Sequence, residues 1–317
     1  MITAVCLNPC IDKTITVDGV ALGEHNRIID TQTDIAGKGV NVAVLLKRLD
    51  MPVRLIGFNF KDNAELLENL LSQEEIAGEF VTVNGELRTN IKLLDISANT
   101  VTELNETGSY VSREKIDELL KLLDEYCVDS DLLILSGSMP VGCDDTLYKE
   151  IIQRAGCRCV LDCAGESLAR ALEAAPFMIK PNKAELEQYV GKSLDTPEAC
   201  LAEALKLVQK GIHVVCVSMG GDGAIITNGM QAYYAPPVKV RVNSTVGAGD
   251  SMVAGICKGI EEGENLRECL AMGVAAATAC VLNNGTSLPD AEMYSSMLAR
   301  VQIEQMTVSQ QEENNEI

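Results

Sequence analysis

The sequence predicts an α/β fold, in which helices cover both faces of a mostly parallel sheet and a small second sheet lies beside it. Short β-rich runs alternate with helical stretches, which is typical of parallel sheets. These runs are almost continuously apolar, as expected for strands that are buried on both faces. Two segments, 11–35 and 80–111, instead alternate polar and apolar residues and show no helical period.

Six apolar runs are predicted to form the strands of the main sheet: 2–7, 53–57, 131–136, 158–162, 177–180 and 213–218. The stretches between them carry apolar residues three and four positions apart, which predicts helices. The predicted helices are 40–49, 62–72, 113–126, 144–155, 182–190, 197–210, 249–262, 265–282 and 290–302. Because no linker divides the chain, residues 1–302 are expected to form one domain.

Segments 11–35 and 80–111 are predicted to form antiparallel strands with one exposed face, outside the main sheet. Such a sheet either closes over a site as a lid or pairs with another subunit, and ordinary surface hairpins are the alternative. Residues 303–317 are polar and acidic, which predicts a disordered tail.

Composition narrows the possible functions. A net charge of −20 argues against nucleic acid as a partner. A small anionic substrate would therefore need a local cluster of Lys and Arg. The first run is typical of a strand rather than a signal peptide, and the sequence has no apolar run long enough to cross a bilayer, so a cytoplasmic protein without a membrane partner is expected.

Two residue types argue against metal and triad chemistry. The twelve Cys residues include no C-x-x-C pair, and we expect them to be reduced core residues rather than zinc ligands. With two His residues in the chain, a Ser-His-Asp triad or a His-rich metal site is not expected.

The stretch "STVGAGDSMVAG" (244–255) places two glycines and an acid at the start of a predicted helix. Free amides at a helix N-terminus bind anions, and glycines let an anion approach the backbone closely. A carboxylate in that position accepts the proton of an attacking hydroxyl in phosphoryl transfer. The alternative is that Asp250 only complements the helix dipole.

Other stretches supply cations and helix entrances. In "AGKGVNVA" (36–43), Lys38 lies between two glycines where a helix begins, which suits a phosphate or sugar hydroxyls but also an ordinary helix cap. In "ELRTNIKL" (86–93), Arg88 and Lys92 are an even number of residues apart, so an unbroken strand would place them on one face. Arg holds phosphate through two parallel hydrogen bonds, whereas a solvated face is the alternative.

Three more stretches follow apolar runs: "LSGSMPVG" (135–142), "IKPNKAELE" (179–187) and "VSMGGDGAI" (217–225). Because ligands bind beyond the carboxyl ends of strands in open α/β sheets, we expect these loops to share one edge. The P-loop pattern is absent, and no G-x-G-x-x-G follows the first strand, which disfavours a nicotinamide dehydrogenase.

Together these motifs resemble the PfkB, or ribokinase-like, family of carbohydrate kinases over about residues 1–290. "AGKGVNVA" resembles the family's N-terminal signature, and "STVGAGDSMVAG" resembles its C-terminal signature. Within the family, "LNPCID", "GEHNR", "RTNIK", "TELNETG", "LSGSMPVG" and "IKPNKAELE" are most similar to the 1-phosphofructokinase group, with tagatose-6-phosphate kinases close behind. The resemblance implies a ribokinase-like three-layer α/β/α sandwich with a small β-sheet lid that often joins two subunits as a homodimer.

The resemblance also implies roles for residues. Asp250 would be the catalytic base, and the amides of Gly247, Ala248 and Gly249 its anion hole. The residues implied to meet the sugar phosphate are Asp12, Gly37, Lys38, Gly39, Asn41, Arg88 and Ser138. Among these, Lys38 and Arg88 are the candidates for the phosphate that the sugar already carries.

For the nucleotide, the resemblance implies an ATP site lined by Lys180, Asn182, Ser218, Gly220 and Gly223. Glu185 would organise Mg²⁺ and its waters. A monovalent cation such as K⁺, used by many relatives, would lie near Ser244, Val246, Asn283, Gly285 and Ser287.

The expected activity is therefore ATP-dependent phosphorylation of D-fructose 1-phosphate to D-fructose 1,6-bisphosphate. Phosphorylation of tagatose 6-phosphate or fructose 6-phosphate is the alternative within the family. A non-catalytic sugar-phosphate sensor on the same fold is the alternative outside it, although a sensor would not need Asp250.

Overall fold

The computed structural model describes residues 1–283, 285 and 287–308, and these residues form two sheets. The main sheet contains β1 (Ile2–Cys6), β4 (Val53–Phe60), β5 (Ala77–Val83), β8 (Leu132–Ser136), β9 (Arg158–Asp162), β10 (Met178–Ile179), β11 (Val214–Ser218), β12 (Ala224–Thr227), β13 (Ala232–Ala235) and β14 (Glu304–Met306). Its order is β14-β13-β12-β11-β10-β9-β8-β1-β4-β5. Neighbours from β11 to β5 are parallel, and β12, β13 and β14 extend that sheet antiparallel.

The smaller sheet contains β2 (Cys10–Val17), β3 (Asp30–Ala36), β6 (Arg88–Asp95) and β7 (Thr100–Asn105), in the order β3-β2-β6-β7. We call this sheet the lid. It lies outside the main sheet, as the alternation of segments 11–35 and 80–111 predicts.

The helices are α1 (Lys38–Arg48), α2 (Ala64–Gln73), α3 (Arg113–Cys127), α4 (Leu147–Arg154), α5 (Gly165–Leu172), α6 (Lys183–Val190), α7 (Pro197–Gln209), α8 (Ala248–Glu262), α9 (Leu266–Val281) and α10 (Ala291–Leu298). Helices α1, α8, α9 and α10 pack on one another, and α3 to α7 pack on one another in succession. Both groups contact the main sheet, so the predicted three-layer sandwich is confirmed.

All six predicted strands of the main sheet are present, and their central residues are almost fully buried. Helix α5 and strands β12 to β14 were not predicted, because they are short and lack a long periodic pattern. Among the described helices, none combines the length and apolar composition that a bilayer crossing requires.

Three details of the prediction are wrong. Residues 80–83 belong to β5 in the main sheet, not to the lid. Strand β2 pairs with β6 in parallel, because the intervening chain passes through the main sheet instead of turning back in a hairpin. Within the predicted disordered tail, residues 304–306 form β14 on β13, and 309–317 lie outside the described residues.

The parallel strands place their carboxyl ends at one edge of the main sheet. Asp162 ends β9 there, and Ser218 ends β11. The N-terminus of α1 reaches the same edge, since Lys38 contacts Asp162. Helix α8 packs on α1, and its N-terminus brings Asp250 to Asn41. The fold therefore gathers two helix entrances and several strand ends at one place.

Candidate active site

A cavity of about 600 Å³ opens at this edge, between the main sheet and the lid. It brings together most of the residues singled out by sequence. Those lining it are Asp12, Gly37, Lys38, Asn41, Arg88, Lys180, Asn182, Glu185, Ser218, Gly220, Gly223, Val246, Gly247, Ala248, Gly249 and Asp250. The loops 179–187 and 217–225 share this edge, as expected, whereas no residue of loop 135–142 lines the cavity.

Helix α8 enters the cavity through a left-handed glycine. Gly247 is the N-cap residue, with φ 77°, a conformation that a residue with a side chain adopts at a cost. The first turn of a helix has amides without intrahelical partners, and no side chain caps this one. A Cβ added to Gly249 would lie 3.6 Å from the Lys180 ammonium nitrogen. The Lys180 ammonium therefore lies close to the first turn of α8, and the cation and the helix N-terminus both favour an anion nearby.

Asp250 is a buried carboxylate in the first turn of α8. Its side-chain amide partner, Asn41 Nδ2, donates a hydrogen bond to Asp250 Oδ2 at 2.7 Å. Burial, followed by the negative charge of Asp162, raises the pKa of Asp250 to about 6, although Lys38, Lys180 and the Asn41 hydrogen bond act in the opposite direction. A carboxylate with this proton affinity is suited to accept a proton near neutral pH.

Asp162 is the central residue that sequence reasoning missed. Its carboxylate is almost fully buried and pairs with two ammonium groups, Lys38 at 3.4 Å and Lys180 at 3.3 Å. Burial would raise the pKa of Asp162, but the two lysines lower it below its ordinary value. Its position as the last residue of a predicted strand, at the edge where the other candidates lie, is the signal that could have found it.

Lys38, which lies near the carboxylates of Asp162 and Asp250, is hard to deprotonate. Burial alone would lower the pKa of Lys38, yet Asp162, Asp250 and Glu185 together raise it well above its ordinary value. Lys38 thus carries its charge throughout the neutral range and lies among three carboxylates on the sheet side of the cavity.

Arg88 lies on the lid side and contacts neutral oxygens. Its guanidinium donates to Asn90 Oδ1 at 3.2 Å and to the Glu106 carbonyl at 3.3 Å, and it also lies 3.5 Å from the Asn8 carbonyl. Its Nε is buried with no hydrogen-bond partner among the described residues. Arg88 therefore holds a positive charge that these contacts leave unneutralised.

Asp12, in contrast, is already paired. Lys92 forms a buried ion pair with it, and Asn90 Nδ2 donates to its Oδ1 at 3.0 Å. Because Arg88 and Lys92 both contact the Asn90–Asp12 pair, the prediction that they share a strand face is confirmed. Asn90 lines the cavity and was not predicted.

Asn182 and Glu185 have a structural role as well as a place in the cavity. Asn182 Oδ1 accepts from the Glu185 amide, and Glu185 Oε2 accepts from the Asn182 amide, each at 2.8 Å. This reciprocal arrangement is a capping box that begins α6.

Gly39 and Ser138 do not line the cavity. A Cβ on Gly39 would lie 2.3 Å from the Val5 carbonyl oxygen, so this glycine permits α1 to pack closely on β1. Ser138 is exposed and accepts a long hydrogen bond of 3.4 Å from Asn8 Nδ2. Gly39 therefore serves packing behind the site, and Ser138 lies at the protein surface outside the cavity lining.

The four remaining candidates, Ser244, Asn283, Gly285 and Ser287, lie in a loop arrangement outside the cavity lining. Ser244 Oγ donates to the Gly285 carbonyl at 2.7 Å, and Asn283 Nδ2 donates to the Ser287 carbonyl at 3.2 Å. These contacts bring the candidates together, as sequence reasoning expects, but behind the entrance of α8.

The far end of the cavity has an apolar wall that was not predicted. Its residues come from the loop before α8 and from α9, and they are Pro237, Val238, Val240, Val242, Val274, Ala277 and Val281. An apolar lining of this kind suits an aromatic base. Single apolar residues in a loop and on a helix give no distinctive sequence signal.

Comparison with known proteins shows which protein family this chain is similar to. Residues 6–293 match the model of the pfkB family carbohydrate kinases. The 1-phosphofructokinase of Haemophilus influenzae is 34% identical over 306 residues, which cover 95% of this chain and 97% of that protein.

Solved structures agree with this match. The phosphofructokinase-2 of Escherichia coli in complex with potassium has a TM-score of 0.86 and 27% identity, covering 94% of this chain and 98% of its own. A tetrameric inhibited form of that protein has a TM-score of 0.85 and 26% identity at the same coverage. The described fold is therefore that of these kinases.

Proposed function

The chain belongs to the pfkB family of carbohydrate kinases and is a sugar-phosphate kinase, and we propose that it phosphorylates D-fructose 1-phosphate with ATP. The product would be D-fructose 1,6-bisphosphate. One observation carries the mechanism: a buried carboxylate with a raised pKa lies at a glycine-rich helix entrance, opposite two lysines. The choice of sugar rests on relatives named 1-phosphofructokinase at about one-third identity.

In the proposed reaction, the free primary hydroxyl of the sugar attacks the γ-phosphorus of ATP. The new bond joins the sugar oxygen to phosphorus, and the bond from phosphorus to the β,γ-bridging oxygen breaks. Its electron pair leaves with ADP, and Asp250 takes the hydroxyl proton. The hydrogen bond from Asn41 orients the carboxylate for this transfer.

The amides at the α8 entrance would hold the transferred group. The group's charge lies on its non-bridging oxygens, and fixed donors stabilise that charge without having to reorganise. The backbone of Gly247, Ala248 and Gly249 lines the cavity at this point. The apolar wall beyond it would receive the adenine, with Ser218, Gly220 and Gly223 beside the phosphates.

On the lid side, Arg88 is proposed to bind the phosphate that the sugar already carries. Its guanidinium contacts no carboxylate among the described residues, so a phosphate would supply the missing negative charge. Asp12, Gly37 and Asn41 line the same cavity as Arg88 and Asp250, and we propose that they contact the sugar hydroxyls. Lys38, the second phosphate candidate by sequence, contacts Asp162 instead.

Glu185 is suited to hold Mg²⁺ through water. The ion keeps several waters and takes one or two carboxylates plus substrate phosphates, rather than a cage of protein ligands. Glu185 is half-buried, lines the cavity and uses one carboxylate oxygen to cap α6, which leaves the other for a bound water. When bound, the ion would neutralise charge on the ATP phosphates.

We propose that the loop behind the α8 entrance binds a monovalent cation such as K⁺. Its available ligands are carbonyl oxygens, those of Val246, Gly285 and Ser287, which accept hydrogen bonds from Cys280, Ser244 and Asn283. A carbonyl oxygen has two lone pairs, so these bonds leave acceptor capacity for a cation. Titrating K⁺ against Na⁺ at constant ionic strength would test this assignment.

A coupled ADP-release assay with Mg·ATP tests the proposed function. The sugars to compare are fructose 1-phosphate, fructose 6-phosphate, tagatose 6-phosphate, fructose and ribose. We expect the highest kcat/KM for fructose 1-phosphate. A preference for a 6-phosphate would retain the mechanism but reverse the sugar's orientation, and binding without turnover would favour a sensor.

A further inference from the structure

We propose that Lys38 acts on the phosphoryl group in transfer, not on the phosphate that the sugar already carries, and that Asp162 positions it there. This inference rests on the proposed function and assigns Lys38 a catalytic role within it. The argument depends on where the Lys38 ammonium is held, which elements hold it, and how the charges at the two ends of the cavity differ.

Lys38 belongs to the sheet side of the cavity. It is the first residue of α1, and its ammonium lies 3.4 Å from Asp162 Oδ2. The other oxygen of Asp162 lies 3.3 Å from the Lys180 ammonium, which in turn lies beside Gly249. The three charged groups form a row from α1 through the end of β9 to the entrance of α8.

The row has a charge suited to a moving phosphoryl group. Two ammonium groups share the single carboxylate of Asp162, so positive charge exceeds negative charge within the row, and Asp250 and Glu185 are the other carboxylates near Lys38. The Lys38 side chain is 38% exposed, whereas those of Asp162 and Lys180 are 1% and 3% exposed. Lys38 is thus the member that reaches into the cavity, and its two partners are fixed in the protein.

Arg88 provides the contrast that separates the two phosphates. Its partners belong to the lid strand β6, to the chain after β7 and to the loop after β1, and all are neutral oxygens. The groups that raise the pKa of Lys38 are instead Asp162, Asp250 and Glu185. Arg88 is therefore available to a bound phosphate. Lys38 instead lies near Asp250, the proposed base, and near Glu185, the residue proposed to hold Mg²⁺.

In the transfer step, the Lys38 ammonium would donate to a non-bridging oxygen of the γ-phosphoryl group. It remains protonated throughout, while the hydroxyl proton goes to Asp250 and the bond electrons leave with ADP. A donor fixed at developing charge typically contributes about 100- to 1000-fold to kcat. Asp162 touches no substrate in this scheme and acts as a positioning residue through the two lysines.

The decisive variant is Lys38→Gln, with Lys121→Gln on the exposed face of α3 as the matched control. We expect kcat to fall about 100- to 1000-fold while the Kd for the sugar phosphate, measured by calorimetry, changes less than about threefold. ATP should bind more weakly, and ADP, which lacks the γ-phosphoryl group, should bind almost as in the parent. Lys38→Arg keeps the charge and should recover at least about tenfold of the lost kcat.

The acid limb of the pH profile gives a second measurement, because it reports the proton affinity of Asp250. The groups facing this carboxylate are Asp162 on β9, Lys38 on α1, Lys180 after β10 and the Cys280 thiol on α9, together with the Asn41 amide. Removing the Lys38 charge should move the limb to higher pH. Asp162→Asn removes a negative charge and should move it to lower pH.

The outcomes separate the inference from the proposed function. If the parent shows no turnover with any sugar phosphate, the proposed function fails and the inference fails with it. If the parent is active but Lys38→Gln retains kcat and raises the sugar-phosphate Kd tenfold or more, Lys38 binds the sugar's phosphate and the inference alone is overturned. Unfolded Lys38→Gln protein would shift the decision to Lys38→Arg, where a kcat equal to that of the control and a weaker sugar Kd would contradict it.

Discussion

The two sides of the cavity hold their charged residues in different ways. On the sheet side, Asp162 at the end of β9 pairs with Lys38 on α1 and with Lys180 just after β10; Asp162 and Lys180 are almost fully buried, and Lys38 is partly exposed. On the lid side, the buried pair Lys92–Asp12 joins two lid strands to each other. Arg88 lies beside that pair and contacts neutral oxygens.

This difference indicates that the sheet side serves catalysis and the lid side serves substrate binding. Groups fixed by several core elements stay in place as the reaction proceeds, and such fixed groups stabilise a transition state well. On the lid side, Arg88 contacts neutral oxygens, so its charge is available for binding the substrate. We therefore expect variants on the sheet side to lower kcat and variants on the lid side to raise KM for the sugar.

The largest effect is expected from Asp250→Asn, which removes the proposed general base on the sheet side. Asparagine cannot take the hydroxyl proton, so kcat should fall about 1000-fold or more. Sugar-phosphate binding should change only a few-fold. Steady-state kinetics with calorimetry would measure both quantities, with Asp129→Asn on the surface as control. Activity within a few-fold of the parent would remove the general-base role.

The next effect concerns the lid. Arg88→Ala removes charged hydrogen bonds that contribute about 1.5–3 kcal/mol each, so KM for the sugar phosphate should rise about 10- to 100-fold. KM for ATP should stay near the parent value, and kcat should change much less than in Asp250→Asn. Arg267→Ala, at a surface arginine, is the matched control. An unchanged sugar KM would place the phosphate elsewhere.

A smaller effect is expected on the pH dependence of kcat/KM, which tests the charges on the sheet side. Because burial and Asp162 raise the pKa of Asp250 to about 6, the base is protonated below that pH and ionised above it. The kcat/KM for the sugar should therefore be level above about pH 6 and fall about tenfold per pH unit below it. Arg88→Ala should leave the position of this limb unchanged. A limb near pH 4 would mean that burial and Asp162 do not raise the pKa of Asp250 in this site.

The smallest effect on turnover is expected at the outer face of the lid, where we propose that two subunits meet. Strand β7 is exposed along its whole length, and Val101 and Leu104 are 58% and 57% exposed. These two side chains face opposite sides of β7, but β7 is the edge strand of the lid, and an exposed edge strand can pair with another chain. Leu104→Glu should convert a dimer to a monomer in sedimentation velocity and change kcat less than about threefold. Val128→Glu, on the equally apolar but distant end of α3, should remain dimeric.

Sequence predicted the fold well where the pattern was long. The apolar runs at 2–7 and 131–136 became β1 and β8, and the alternating segments became the lid. Strands β12 to β14 were missed, because three or four residues of strand carry no periodic signal, whereas β10 was found within the apolar run 177–180. The parallel pairing of β2 and β6 was also missed, because register between strands 70 residues apart depends on the whole topology.

The candidate site was predicted in proportion to the distinctiveness of its motifs. Glycine-rich helix entrances and the resemblance located Asp250 and Lys38, and the cavity contains both. Asp162 was missed because no motif contains it, and its position at the carboxyl end of a predicted strand was the signal available. For Gly39 the error was the opposite one, since a residue that does not line the cavity was predicted to contact the ligand. This glycine lies next to Lys38 in the motif and serves packing against Val5.

The capping box has a consequence for how this chain can change over generations. Asn182 and Glu185 hold the start of α6 through each other's backbone amides, a contact that contributes about 1 kcal/mol to folding whether or not a nucleotide ever binds. A descendant that lost its activity would still keep both residues, because its helix needs them. Asp250 has no such protection, since an ionisable group in a buried place costs stability. In a lineage under relaxed selection, Asp250 is therefore expected to disappear first, and the N-x-x-E pattern to persist.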